Sequence, residues 1–181
     1  MQRYIKKIKK TNIYRKKFMK PSKIISVTAK KACFILSGFR TLTWKGVVYC
    51  KRSEDVNSIN YSTEINSQLK SHETIHVRQA ESTHNSWSLF YIRYIWEWIC
   101  NLPLIFIDTY APYKFMPMEI EAYLNQDNWD YCQNGAVYQW KGFEKILSLK
   151  EKREMAKKYY GSKPKPYFTD FLYNELTRTS K

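Results

Sequence analysis

The first 53 residues contain no aspartate or glutamate, yet they hold sixteen lysines and arginines. The other fifteen of the chain's 31 basic residues stand against all sixteen acidic ones, so the net charge of +15 belongs to the N-terminal third. A one-signed block of this kind is a solvated arm or a contact for an anionic partner. An anionic membrane surface, met through residues 1–31, is the favoured partner of that class. Nucleic acid is less favoured, because no RRM, helix-turn-helix or zinc-finger pattern is present. No uninterrupted apolar run follows the basic start before Lys20, so no secretory signal is expected. Ile5, Ile8, Ile13, Tyr14, Phe18 and Met19 recur every few residues, which predicts a basic amphipathic helix over residues 2–19. Such a helix can lie on a membrane or dock on the domain's own surface, and we prefer the second. Cys-x-x-Cys is also missing, which argues against a structural zinc cluster. Cys33, Cys50, Cys100 and Cys132 are expected to be buried free thiols in a reducing, cytoplasmic setting. A peripheral membrane contact is compatible with that location.

What is present is enough for a real core. The chain has 181 residues, 44% of them hydrophobic and 17% aromatic, which excludes a disordered class and fits one domain. We divide it into a basic arm (1–24), a domain (25–160), and a linker with a C-terminal helix (161–181). No internal repeat is found.

Histidine is scarce: only His72, His76 and His84. Two of the three fall in His72-Glu73-Thr74-Ile75-His76, the His-Glu-x-x-His motif of the zincins. From this composition such a match arises by chance in roughly one chain in a few hundred. On a helix, residues four apart lie about 40° apart around the axis and about 6 Å along it. His72 and His76 therefore share a face and can bind one metal. Zinc suits imidazole nitrogen, and Glu73 sits beside the metal rather than on it. There it can take a proton from a water that the metal has acidified.

A catalytic zinc needs a third protein ligand. His84 lies about 12 Å further along a continuous helix, out of reach unless the chain turns sharply. Ser82 occupies the position where a metzincin would carry its third histidine. A distal carboxylate remains, and Pro117-Met118-Glu119-Ile120-Glu121-Ala122-Tyr123 reads as a helix start that offers Glu119 or Glu121. His-Glu-x-x-His-x-x-Gln followed by Glu-x-x-Ala resembles the gluzincin branch of zinc metallopeptidases. That branch includes the CAAX-prenyl-protease type enzymes and small uncharacterised bacterial proteins with the motif. The resemblance covers roughly residues 66–131 and implies Glu119 as third ligand, with Ala122 letting two helices pack closely. Tyr123 stands where members with Glu-x-x-Ala-Asp carry aspartate. Gln79 is placed to hydrogen-bond a ligand imidazole.

Around the motif, Ala32–Leu36, Arg40–Trp44 and Val47–Lys51 predict a small antiparallel meander, turning at Gly38 and Lys45-Gly46. An edge strand there can pair with an extended peptide. Residues 52–65 read as a loop and 66–83 as the motif helix. Residues 86–107 predict a central buried helix, since Arg93, Glu97, Asn101 and Pro103 interrupt a membrane span and Arg93 can pair with Glu97. The Glu119 helix is expected to run to about Cys132, with further helices over 138–160 and 168–178. Tyr110, Tyr113 and Tyr123 bracket the third ligand, where a phenol can stabilise an oxyanion.

The fold class is therefore α+β, mostly helical and zincin-like, with a small antiparallel sheet beside the motif helix. The expected function is zinc-dependent peptide-bond hydrolysis, with Glu73 as general base, Zn2+ on His72, His76 and Glu119, and a peptide or protein substrate. The alternative is a non-catalytic module whose basic arm binds an anionic membrane surface or nucleic acid. A structural zinc closed by Glu121 or His84 is the third.

Overall fold

The computed structural model describes residues 27–32, 40–61, 67–128, 131 and 147–178. Strands β1 (Thr28–Lys31), β2 (Thr41–Trp44) and β3 (Val47–Cys50) come first. Helices α1 (Ser53–Tyr61), α2 (Gln68–Ser82), α3 (Trp87–Asn101), α4 (Ala111–Lys114), α5 (Pro117–Asn125), α6 (Leu149–Gly161) and α7 (Phe168–Arg178) follow. A 3-10 turn at Leu102–Phe106 joins α3 to α4. The protein is thus mostly helical with a small sheet.

The sheet corrects the expected antiparallel meander. Its order is β1-β3-β2, with β3 antiparallel to β2 but parallel to β1. The physical reason lies in the strand compositions. β3 (Val-Val-Tyr-Cys) is the most apolar of the three and buries Val48 and Cys50, so it takes the centre. β1 carries Lys30 and Lys31 and β2 carries two threonines, which suits them to edges. β2 and β3 are joined by the predicted two-residue turn. Lys45 and Gly46 both have positive φ (48° and 80°), the primed turn that matches strand twist.

Residues 53–61 form α1 rather than the expected loop. Glu54 and Asp55 sit in its positive first turn. Tertiary contacts then override the weak helix propensity of its Asn and Ser. Ile59 is buried, Asp55 is gripped by Arg40, and the Asn60 amide bonds both the N–H and the carbonyl of Ala29 on β1.

α2 is the helix the rest packs around. Ser67 caps it, its hydroxyl accepting from the Lys70 N–H at 3.1 Å. Every residue from Ser71 to Ala80 is buried. Val77 packs into the cluster of sheet and α1, while Ile75 and Ala80 meet Phe90 of α3 and Met118 and Ala122 of α5. A larger cluster joins Leu104, Phe115 and Ile120 to Met155 of α6 and to Phe168 and Leu172 of α7.

α3 corrects a third expectation. Its sequence predicts a buried helix, but only Phe90, Glu97 and Asn101 are buried. Leu89, Ile92, Ile95, Trp96, Trp98 and Ile99 stand exposed. The Arg93–Glu97 pair does form, at 3.2 Å. Among the described residues no helix is long and apolar enough to cross a membrane. α5 ends at Asn125, short of the expected Cys132. Cys50 is a buried free thiol, whereas Cys100 is free but exposed, against expectation. The basic arm, the amphipathic helix over 2–19, the strand over Ala32–Leu36 beyond Ala32, Cys33, Cys132 and the helix expected over 138–146 lie outside the described residues.

Candidate metal centre

His72 and His76 lie one turn apart on α2, their rings edge to face with centroids 4.9 Å apart. Their Nε2 atoms are 3.2 Å apart. Glu119 arrives from α5: Oε2 lies 3.4 Å from His72 Nε2, and Oε1 lies 3.1 Å from His76 Nε2. Met116 is extended (ψ 142°), as a residue before proline prefers, and Pro117 opens α5 two residues before the carboxylate. Ala122, fully buried against Ile75 and Ala80, is small enough to let α5 close on α2. The structure thus brings together His72, His76 and Glu119, and these three can hold a metal ion. Glu121 turns elsewhere. It accepts from the Gln79 amide at 2.8 Å and from the Tyr131 hydroxyl. His84 sits exposed in the turn after α2, with φ 59°.

The hydrogen-bond polarity around the triad fits a cation. The Gln79 Nε2 donates to the Met118 carbonyl (2.9 Å) and to Glu121, so its Oε1 faces His76 Nδ1 at 2.8 Å and accepts. Gln126 does the same for His72. Its Nε2 donates to the Tyr167 and Thr169 hydroxyls, which pass their own protons to Gln68 and to the Tyr123 carbonyl. Its Oε1 therefore accepts from His72 Nδ1, at 3.2 Å. With the Nδ1 positions committed to donating, it is the Nε2 atom of each ring that faces the Glu119 carboxylate and is available as a metal ligand. Glu119 Oε2 is buried and has no hydrogen-bond partner among the described residues. Two ligands at 2.0–2.1 Å from one tetrahedral ion lie about 3.3 Å apart. The two Nε2 atoms, 3.2 Å apart, match that value, and with one ligand atom taken from each residue the three groups lie within 4.8 Å of one another.

Without a metal, a proton is the cation that can ease this crowding. Burial alone would lower the His76 pKa, but the Glu119 charge and hydrogen bond outweigh it and raise it to about 9. Burial would raise Glu119, yet the two imidazoles pull its carboxyl well below the usual range. Tyr94 donates to Glu119 Oε1 at 2.6 Å, and burial first, then the Glu119 charge, holds its phenol firmly neutral. Tyr113 is raised well above its ordinary value for the same reasons. Tyr123 lies edge-on to His72, with centroids 4.8 Å apart, while Tyr110 is exposed.

Glu73 is buried on the sheet side of α2. The Thr41 hydroxyl donates to its Oε1 at 2.7 Å and the Thr43 hydroxyl donates to its Oε2. Both threonines belong to β2, whose alternation puts them on one face. Each carboxylate oxygen keeps a lone pair for a further donor. A cavity of about 500 Å3 opens here, lined by Glu73, His76, Glu119 and Tyr113 at its polar end and by residues such as Leu42, Phe90 and Trp98 elsewhere. Sequence reasoning missed Thr41, Thr43, Tyr94 and Gln126. They come from three separate elements, and no local spacing marks them.

No family model matches the chain, and no curated protein or solved structure matches it either.

Proposed function

We propose that the protein is a zinc-dependent peptidase of gluzincin type, with His72, His76 and Glu119 as metal ligands and Glu73 as general base. One observation carries this reading: three buried groups, each offering a ligand atom within 4.8 Å of the others, sit next to a cavity that also receives the carboxylate of the motif glutamate. Two imidazoles and one carboxylate leave a zinc ion a fourth position, the pattern of catalytic rather than closed structural sites. When bound, the ion supplies Lewis acidity, polarising a carbonyl and lowering the pKa of water. Glu73, oriented by Thr41 and Thr43, takes the proton of the attacking water and passes it to the leaving amine. Tyr113, kept protonated by burial, is the cavity phenol suited to donate to a developing oxyanion. β2 is an edge strand that lines the cavity, so an extended peptide can add to it by backbone hydrogen bonds.

The test is Glu73→Gln. Elemental analysis should find the metal retained at wild-type stoichiometry, while peptide turnover falls by about 10²–10⁴-fold. A fully active Glu73→Gln protein would exclude the mechanism. Glu119→Ala should lose the metal and Glu121→Ala should keep it.

A further inference from the structure

The outer side of α3 is apolar and, among the described residues, uncovered. Ile92, Trp96 and Ile99 follow one another at three- and four-residue spacing, all exposed, and Phe106 beyond them is 91% exposed. The stripe carries no carboxylate: the helix's one acid, Glu97, is turned inward and paired with Arg93. Arg93 itself remains part-exposed at the side of the stripe. Ile95 and Trp98 belong both to this exposed side and to the lining of the cavity that Glu73 enters. Lys45, at the turn beside the exposed Trp44 of the same lining, adds a positive charge.

We propose that this ridge docks on an anionic lipid bilayer, with α3 lying in the boundary between headgroups and acyl chains and the cavity opening at that boundary. Aliphatic residues with tryptophan on an exposed helix face, flanked by basic residues, are the pattern of interfacial helices. Fifteen residues of helix measure about 22 Å, short of the roughly 30 Å of a bilayer's hydrocarbon, so α3 lies on the surface rather than crossing it. Charge selects the occupant. The chain's net +15, carried by its N-terminal third, sets two copies against each other and favours an anionic surface, and Lys45 and the part-exposed Arg93 stand beside the ridge itself. Docking does not depend on the metal centre. Its consequence for the substrate, a polypeptide presenting an apolar segment at the bilayer surface, rests on the peptidase reading.

The experiment is co-sedimentation of the full chain with vesicles of phosphatidylcholine alone or mixed with phosphatidylglycerol, alongside tryptophan quenching by brominated acyl chains. The wild type is expected to bind the mixed vesicles and to be quenched. The triple variant Ile92→Ser, Trp96→Ser, Phe106→Ser changes exposed positions only, and its circular dichroism spectrum should match that of the wild type. Its vesicle affinity should fall by about tenfold or more at fixed salt. Three results overturn the proposal: unchanged binding by the triple variant, binding without quenching, or no vesicle binding with a dimer that the same substitutions dissolve. Glu119→Ala separates the two readings, because it should bind vesicles like the wild type whether or not the chain is a peptidase.

Discussion

Gln79 shows how much of a metal site is decided by a residue that never touches the metal. Both of its amide hydrogens are spent, on the Met118 carbonyl and on Glu121, which leaves only an oxygen for His76. Gln79→Ala should therefore weaken metal affinity by about 10–100-fold, measured by competition with a chromogenic chelator. A change within error would mean that His76 is oriented by packing alone. The same triad sets a pH dependence in the metal-free protein. The His76 pKa is raised to about 9, above its unfolded value of about 6.5. A raised base contributes stability that is fully present below the unfolded value and is lost as pH rises through the folded one. Metal-free protein should thus become less stable between about pH 6.5 and pH 9, and Glu119→Gln should flatten that slope. At pH 7 an incoming metal must also displace this proton. Calorimetry in buffers of different ionisation enthalpy should show about one proton released per metal bound.

At the scale of elements, the same carboxylates that read plainly on α2 depend on partners that read poorly. The motif helix, the Lys45-Gly46 turn and the proline that opens α5 were legible, because each rests on local spacing or backbone preference. The order of the sheet, the helical state of residues 53–61 and the exposure of α3 were not. Each is decided by what a segment meets in space: β3 between two polar strands, Ile59 against the sheet, α3 against solvent. At the site, His72, Glu73 and His76 are one turn of one helix and announce themselves. Thr41 and Thr43, some thirty residues away, do not. Their role predicts that Thr41→Val with Thr43→Val keeps the metal and lowers turnover, because Glu73 loses both groups that hold its orientation. A loss of metal instead would show that β2 builds the ligand geometry. Glu97 of α3 is buried and paired with Arg93. Burial raises its pKa to about 7, against the opposing pull of Arg93. A buried acid with a raised pKa contributes stability at low pH that is lost as pH rises from about 4.5 through 7. Glu97→Gln should therefore gain stability relative to wild type at pH 8 over pH 5, on the order of 2 kcal/mol by chemical denaturation.

For the whole molecule, the candidate metal centre stands where two halves of the core meet. α2 carries the sheet-side cluster through Val77, and α5 carries the cluster of α6 and α7 through Ile120. Between them the triad places three polar groups where a core would otherwise bury hydrocarbon. Metal-free, these groups lean on a shared proton; with an ion they become bonds that join α2 to α5. Binding to the folded state alone stabilises by about 2.7 kcal/mol when free metal is a hundred times its Kd. Adding a chelator should lower the thermal midpoint of the wild type and of Glu73→Gln alike, since Glu73, as the proposed general base, would not hold the ion. His72→Ala and Glu119→Ala should unfold at one temperature with or without chelator, because neither has an ion to lose. Glu73→Gln is the decisive member of this set. If it lost the chelator effect together with turnover, Glu73 would be a ligand, and the division between the residues that hold the metal and the residue that moves the proton would fail. If it keeps the effect and loses turnover, the fold's cross-link and its chemistry are carried by different side chains of one helical turn.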